Sequence, residues 1–364
     1  MKERFPRLLI KYRQIAENAE KVVALCKNKG ISVTGVVKGF NGIPEVAMAL
    51  DEGGCEHLGS SRIEQLQAIK ALDPLVKTMM VRIPMVSEAQ AIVASADISL
   101  NSERATLAAL DEAAMACETI HSVILMVDLG DLREGYMDSQ ELVETALWVE
   151  KELTHLNLMG IGTNVGCYGS VKPTRVNMNQ LVAMAREVEK ALGRKLEIVS
   201  GGATSSLTLV ARDEMPEGIN HLRIGEGIAL NRDLPTLWDC HIEGLHKDNF
   251  ILEGEIIEIK SKPTHPIGEL FVDAFGHQNT YEDRGSRRRA LLAMGRQDFL
   301  DHTSLESVHP GVEVVGSSSD HLIVDIEDYQ DSLKVGDVLG FHLYYGAMLF
   351  TTGSAYVEKI VVRE

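Results

Sequence analysis

Between about residue 31 and residue 235 the chain alternates short apolar runs with longer amphipathic stretches, and this alternation limits the fold to very few choices. The runs are "ISVTGVVK" (31–38), "CEHLGS" (55–60), "KTMMVRI" (77–83), "DISL" (97–100), "SVILMVDLG" (122–130), "LNLMGIGTN" (156–164), "KLEIVSGG" (195–202) and "NHLRIG" (220–225). A segment of helical period follows each. In "SRIEQLQAIKAL" (61–72), Ile63, Leu66, Ile69 and Leu72 share one face, and in "NSERATLAALDEAAMA" (101–116) Asn101 is placed to cap. Strands apolar on both faces, each trailed by a helix, pair in parallel through right-handed crossovers. Eight such units predict an α/β fold, a (β/α)8 TIM barrel of roughly 250 residues. A doubly wound open sheet would share the same period.

After about residue 240 the texture changes. "NFILEGEIIEIKSKP" (249–263), "RALLAMGRQDF" (289–299), "HPGVEVVGSSSDHLIVDI" (309–326), "LKVGDVLGFHLYYG" (333–346) and "SAYVEKIVV" (354–362) read as strands divided by Gly, Pro, Asp and His clusters, a small C-terminal all-β domain. The expected division is 1–240 for the barrel and 241–364 for the β domain, with the first dozen or so residues free to pair with the latter. No apolar run is long enough to span a bilayer and the N-terminus lacks a secretory pattern, so a cytoplasmic protein is expected. Five scattered cysteines without a C-x-x-C pair argue for reduced thiols and against a structural metal. A net charge of −17 disfavours nucleic acid and anionic membrane as partners, and the run "RGSRRR" (284–289) reads as a solvated turn.

In a barrel of this kind, chemistry sits where the strands stop. The first run ends on Lys38, which either reaches out to solvent or turns its amine into the barrel mouth, where desolvation favours the neutral, nucleophilic form. The seventh and eighth runs end in "SGGATSSL" (200–207) and "RIGEGIAL" (223–230), small residues and hydroxyls that lead into helices, the ingredients of a phosphate site. Arg223 ends the last run and would set a cation across the mouth. An amine for an aldehyde, a phosphate cradle and an opposing cation make a pocket for pyridoxal 5'-phosphate.

These residues carry a resemblance over nearly the whole length to the alanine-racemase-like, fold-type III group of pyridoxal-phosphate enzymes, and within it to the ornithine racemase branch. "VVKGFNG" resembles the strand bearing the cofactor lysine, which implies Lys38 as that residue and as a proton carrier on one face of Cα. "MVDLGDLREG" (126–135) resembles the stretch whose arginine, here Arg133, lies near the substrate carboxylate. "SGGATSSL" resembles the phosphate loop, implying Thr204 and Ser205 as donors. "LRIGEGIAL" implies Arg223 at the ring nitrogen, with backbone N–H groups of Gly225 and Glu226 on the phosphate. "YYGAML" resembles a late tyrosine segment that returns to the phosphate, making Tyr345 its counterpart. Asn164 stands where the family stacks a histidine on the cofactor ring.

Two departures matter. Gly42 replaces an aromatic phosphate ligand, and Arg296 stands in the stretch resembling the one from which a partner subunit supplies the second base, a tyrosine. Candidates for the opposite face of Cα are Asp320 and His321 in "SSSDHL", Tyr345, and Cys167 and Tyr168 in "TNVGCYG". The resemblance implies a homodimeric amino-acid racemase with a small-molecule substrate, a basic amino acid such as ornithine or lysine. A lyase or aldolase on the same scaffold, a non-catalytic pyridoxal-phosphate carrier and a cofactor-free barrel enzyme for phosphorylated substrates are the competing readings.

Overall fold

The computed structural model describes residues 4–364. Its contacts divide into two compact units, Arg13–Lys247 and a second that joins the N-terminal residues up to Tyr12 to Asp248–Glu364. Strand β1 (Arg7–Lys11) opens the second unit. The first unit contains β2 (Ser32–Val36), β3 (His57–Ser60), β4 (Thr78–Met80), β5 (Ile98–Asn101), β6 (His121–Val127), β7 (Leu156–Thr163), β8 (Ile198–Ser200) and β9 (His221–Ile224), all parallel and closed into a barrel in chain order. All eight apolar runs supply one barrel strand each. Such runs are legible because parallel strands covered by helices on one side and by barrel filling on the other must be apolar on both faces.

Two faces pack two different cores. Val123, Leu125 and Val127 of β6 join Ile63, Leu66, Leu107, Leu142 and other helical residues in an outer layer. Met79, Ile98, Leu100, Ile124, Met126 and Ile198, at the alternate strand positions, form a separate inner cluster. That cluster fills one side of the barrel. On the other side the buried groups are polar, among them Thr34, Ser200, His221 and Arg223. Polar barrel filling clusters at β2, β8 and β9, next to the loops expected to hold phosphate.

Local details depart from sequence expectation. Leu72 is 52% exposed, because the helix Ile63–Leu72 ends there and its apolar stripe stops at Ile69. Asn101 does not cap the following helix, whose N-cap is Glu103; its amide instead donates to the Ser99 carbonyl and hydroxyl within β5.

The second unit is an eight-stranded sheet of β1 with β10 (Phe250–Pro263), β11 (Ser286–Leu292), β12 (Leu305–Ser307), β13 (Glu313–Ser317), β14 (Leu322–Asp325), β15 (Val338–Leu343) and β16 (Glu358–Val362). Its main path runs β12-β15-β10-β11-β14-β13, and β1 pairs antiparallel with β10 and parallel with β16. Two readings are corrected. "RGSRRR" is not a solvated turn: Arg287–Arg289 lie in β11, and Arg287 pairs with Asp325 at 2.6 Å. The run 289–299 is not one strand, since β11 stops at Leu292 and Arg296–Phe299 is a helical turn. The unit is the expected β domain, and beside its sheet "YGAMLFTTG" forms a helix, Tyr345–Gly353, that buries Ala347, Met348, Thr351 and Thr352.

Candidate active site

The first apolar run does not end its strand on Lys38. Val37 N–H makes a last bond to Gly59 O (2.9 Å), and Lys38 opens a tight turn, Lys38–Phe40, closed by Asn41 N–H on Lys38 O (3.1 Å). Positive φ at Asn41 (55°) and Gly42 (59°) completes the reversal. The Lys38 side chain is half-buried and has no carboxylate ion-pair partner among the described residues. Burial pushes its pKa down, and the neighbouring Arg133 and Arg223 charges push the same way against Cys167 and Glu134. An amine in such surroundings is biased toward its neutral form.

Gln65 fills the space beside that turn. Its amide donates to Asn41 Oδ1 (3.0 Å) and its carbonyl oxygen accepts from the Ser60 hydroxyl. A Cβ on Gly42 would stand 2.6 Å from Gln65 Cβ, so no side chain enters here without displacing the glutamine. Nothing in the spacing of the motif pointed to Gln65.

The loop after β6 is folded back on itself by Tyr136 N–H to Met126 O (2.8 Å) and Asp128 N–H to Tyr136 O (3.1 Å). Asp128 Oδ1 accepts from the N–H groups of Gly130 (2.8 Å) and Leu132 (3.1 Å). Asp131, 1% exposed, accepts from the N–H groups of Cys167 (3.4 Å) and Val171 (3.2 Å), tying this loop to the one after β7. Arg133 is thereby fixed from two sides: it pairs with Glu134, and its Nη1 donates to Cys167 Sγ at 3.0 Å. Asn164 follows β7 directly and is half-buried, whereas Tyr168 is 75% exposed.

Beyond β8 the backbone passes through Gly201 and Gly202, the latter at φ 113°, into the turn Thr204–Ser206. Thr204 Oγ1 accepts from Gly227 N–H (3.1 Å), which leaves its own proton available to an anion. Ser205 differs. Its hydroxyl donates to Val165 O (2.9 Å), so it reaches phosphate as a donor only by giving up that bond. Gly225 lets the chain pass Val36, where a Cβ would meet Val36 O at 3.0 Å, and Glu226 opens the short helix Glu226–Ala229. The Glu226 carboxylate is 7% exposed; Oε1 accepts from the N–H groups of Arg232 (2.8 Å) and Asp233 (2.9 Å), and burial raises its pKa to about 7.

Arg223 is 4% exposed and does not reach openly across the mouth. It donates from Nη2 to Thr163 O (2.7 Å) and from Nη1 to Ser200 Oγ. Burial lowers its pKa to about 10, which leaves it charged at neutral pH. The first unit thus gathers Lys38, Arg133, Cys167 and Arg223 into one electrostatic group.

The remaining sequence candidates belong to the second unit. Tyr345 begins the helix Tyr345–Gly353. Asp320 and His321 lie on the turn between β13 and β14 and line a cavity of about 380 Å3 with Pro6, Ile257, Gln297 and Asp298. Asp320 accepts from the Gln297 amide and from Ser319 Oγ (2.6 Å), and His321 Nδ1 meets Ser318 Oγ at 3.3 Å. Arg296 is engaged on several sides: its guanidinium lies 4.1 Å from the Phe275 ring centre, Nε donates to Ser317 Oγ (3.2 Å) and Nη2 meets Asp301 at 3.6 Å.

A closed parallel barrel with a lysine turn after its first strand, a hydroxyl-rich loop after its seventh and a glycine-bearing loop after its eighth defines a class that the comparisons make definite. Residues 10–231 match the family described as alanine racemase, N-terminal domain, and the chain belongs to that family. It is 42% identical over 355 residues, 98% of this chain and 99% of the other, to the ornithine racemase of Acetoanaerobium sticklandii. It is 39% identical over 362 residues, 98% of each chain, to the lysine racemase of Thermotoga maritima. Among solved structures, the alanine racemase from D-cycloserine-producing Streptomyces lavendulae superposes with a TM-score of 0.77 at 17% identity, over 100% of this chain and 98% of that one.

The donor set fits the cofactor of this family. A lysine without a carboxylate partner, a threonine hydroxyl with its proton unspent and a buried arginine that is charged at neutral pH are the groups that an aldehyde, a phosphate and a ring nitrogen require.

Proposed function

We propose that this chain is a pyridoxal-phosphate-dependent amino-acid racemase acting on a basic amino acid, ornithine or lysine. The observation that carries the reading is Lys38: a half-buried amine, lowered in pKa by burial and by Arg133, at the end of the first barrel strand in a chain with near full-length identity to two racemases of basic amino acids. Lys38 would hold the cofactor and, once freed, carry a proton to and from one face of Cα. Arg133, braced by Glu134 and Cys167, would receive the substrate carboxylate. Thr204 and the backbone N–H groups of Gly225 and Glu226 would hold the phosphate, with Ser205 and Tyr345 as further donors and Asn164 beside the ring. Arg223 would face the ring nitrogen and keep it unprotonated. Bound pyridoxal phosphate supplies the electron sink for charge left at Cα when its proton departs.

Racemisation needs a second proton group on the other face of Cα. Arg296 cannot take the family tyrosine's role, because a guanidinium does not release its proton at neutral pH. Asp320 and His321, from the β unit of a second copy in a homodimer, are the groups we assign to it. Reduced thiols suit a cytoplasmic enzyme, and no helix among the described residues is long and apolar enough to cross a membrane.

The test is a racemisation assay across free amino acids with the pyridoxal-phosphate-loaded protein. Conversion of one enantiomer of ornithine or lysine to the other is expected. Turnover confined to alanine or serine would reject the substrate class, and keto-acid or aldehyde product in place of the enantiomer would reject the reaction.

A further inference from the structure

Behind Arg223 lies a chain of side chains that the motifs did not indicate. Ser200 Oγ stands 2.7 Å from His221 Nδ1, and His221 Nε2 stands 2.8 Å from Thr34 Oγ1. These residues come from β8, β9 and β2, and each is completely buried. His221 and Arg223 are two apart on β9 and so face the same side, and β9 pairs with β2 in a register that sets Arg223 beside Thr34. Glycine clears the space: a Cβ on Gly162 would lie 3.0 Å from Ser200 Cβ and 3.5 Å from Arg223 Nη1.

The direction of every bond in this chain follows from one fact. Arginine has donors and no acceptor, so Ser200 Oγ must accept from Arg223 Nη1. Ser200 Oγ could accept a second bond, but its one proton would then have no partner in this chain; with that proton satisfied it is directed at His221 Nδ1, which presents a lone pair. A neutral imidazole with a bare Nδ1 carries its proton on Nε2, and that proton goes to Thr34 Oγ1. The Thr34 hydroxyl turns on to Met79 Sδ at 3.9 Å. A protonated ring would put N–H against the Ser200 hydroxyl and a second cation beside Arg223. Burial first, and then Arg223 and His57, oppose that charge.

We infer that His221 is a positioning residue, a neutral imidazole that acts through Ser200 to aim the Arg223 guanidinium, and that it couples this aim to Thr34 on the strand leading to Lys38. It touches neither substrate nor cofactor. The inference rests on the proposed placement of Arg223 against the cofactor ring nitrogen. Its consequence is fidelity: with Arg223 misaimed, the ring nitrogen gains a proton and more turnovers end in transamination. In that side reaction, amino acid and pyridoxal phosphate would become keto acid and pyridoxamine phosphate with no net water, the amino nitrogen and the Cα proton both passing to the cofactor's aldehyde carbon.

Two readouts test this. In 15N-histidine-labelled full-length protein, the His221 ring is expected to show a bare Nδ1 and a protonated Nε2, unchanged between about pH 6 and 9; an Nδ1–H tautomer or an imidazolium in that range would overturn the relay. In the loaded enzyme, keto acid formed per racemisation event is expected to rise about tenfold in Ser200→Ala and His221→Phe, the scale of one lost hydrogen bond to a charged group, and to fall back toward wild type in His221→Gln. Unfolding of His221→Phe would leave Ser200→Ala to decide. An unchanged ratio in Ser200→Ala alongside a raised ratio in Arg223→Gln would overturn the relay alone. An unchanged ratio in Arg223→Gln as well would overturn the placement of Arg223 on which the inference stands.

Discussion

Nη1 of Arg133 donates to Sγ of Cys167 across 3.0 Å, joining the loop after β6 to the loop after β7. The arginine's other neighbour, Glu134, is adjacent in sequence and competes with any substrate carboxylate for the guanidinium, so the thiol is the contact that sets its direction without neutralising it. Cys167→Ala is expected to raise KM for the amino acid roughly threefold to tenfold with kcat little changed, the pattern of lost binding common to ground and transition states. Cys117 and Cys167 are exposed, whereas Cys26, Cys55 and Cys240 are buried, and of the two exposed thiols Cys167 is the one bonded to Arg133. Alkylation by iodoacetamide is therefore expected to inactivate the wild type and spare Cys167→Ser. Equal sensitivity of the two would contradict this placement.

Glu226 gives a pH signature opposite to that of a salt-bridged carboxylate. Its folded-state pKa is raised from 4.5 to about 7, chiefly by burial. Between those values the folded chain keeps a proton that the unfolded chain has released, so stability falls as pH rises through this window, by about 3 kcal/mol in all. Glu226→Gln keeps the acceptor for Arg232 and Asp233 and cannot ionise. The difference in Tm between variant and wild type is expected to grow in the variant's favour from about pH 4.5 to 7 and then level off. A constant difference across that range would show that Glu226 is ionised in the fold.

Gly42 stands where a side chain has no room. Positive φ and a Cβ site 2.6 Å from Gln65 Cβ both oppose substitution. Gly42→Ala is expected to cost about 1–3 kcal/mol, and Gly42→Tyr more. The midpoint of urea unfolding measures this, and an unmoved midpoint in Gly42→Ala would contradict it.

The two proton groups assigned to opposite faces of Cα separate in deuterated water. Asp320→Asn or His321→Gln, whichever removes the acting group, is expected to lower racemisation by about 10²–10⁴-fold while one enantiomer still exchanges its Cα hydrogen through Lys38. Racemisation within a few-fold of wild type in both variants would remove this pair from the mechanism.

Sequence legibility followed burial. Eight apolar runs located eight barrel strands because both faces of each strand are covered, and Lys38 stood out as a charge on such a run. The β unit was less legible. Arg287, Arg288 and Arg289 look like a turn until the strand partner brings Asp325 to pair with Arg287, and "YGAMLFTTG" has no polar face to mark it as a helix. Ser205 sits in a phosphate-loop motif, but its proton goes to Val165, a residue whose position only the fold reveals. The relay was hidden most fully. His221 in "NHLRIG" passes for a strand-edge polar residue, and only barrel closure brings Thr34, some 190 positions away, against its ring. Short-range periodicity carries element type; contacts across the barrel carry chemistry.

The account depends on Lys38 as the attachment point of the cofactor. Borohydride reduction of the loaded protein, followed by mass mapping of its peptides, tests this most directly. The result expected is a single phosphopyridoxyl group on Lys38 with loss of the visible absorption band. A label on another lysine, or a protein that takes up pyridoxal phosphate without labelling at Lys38, would contradict it.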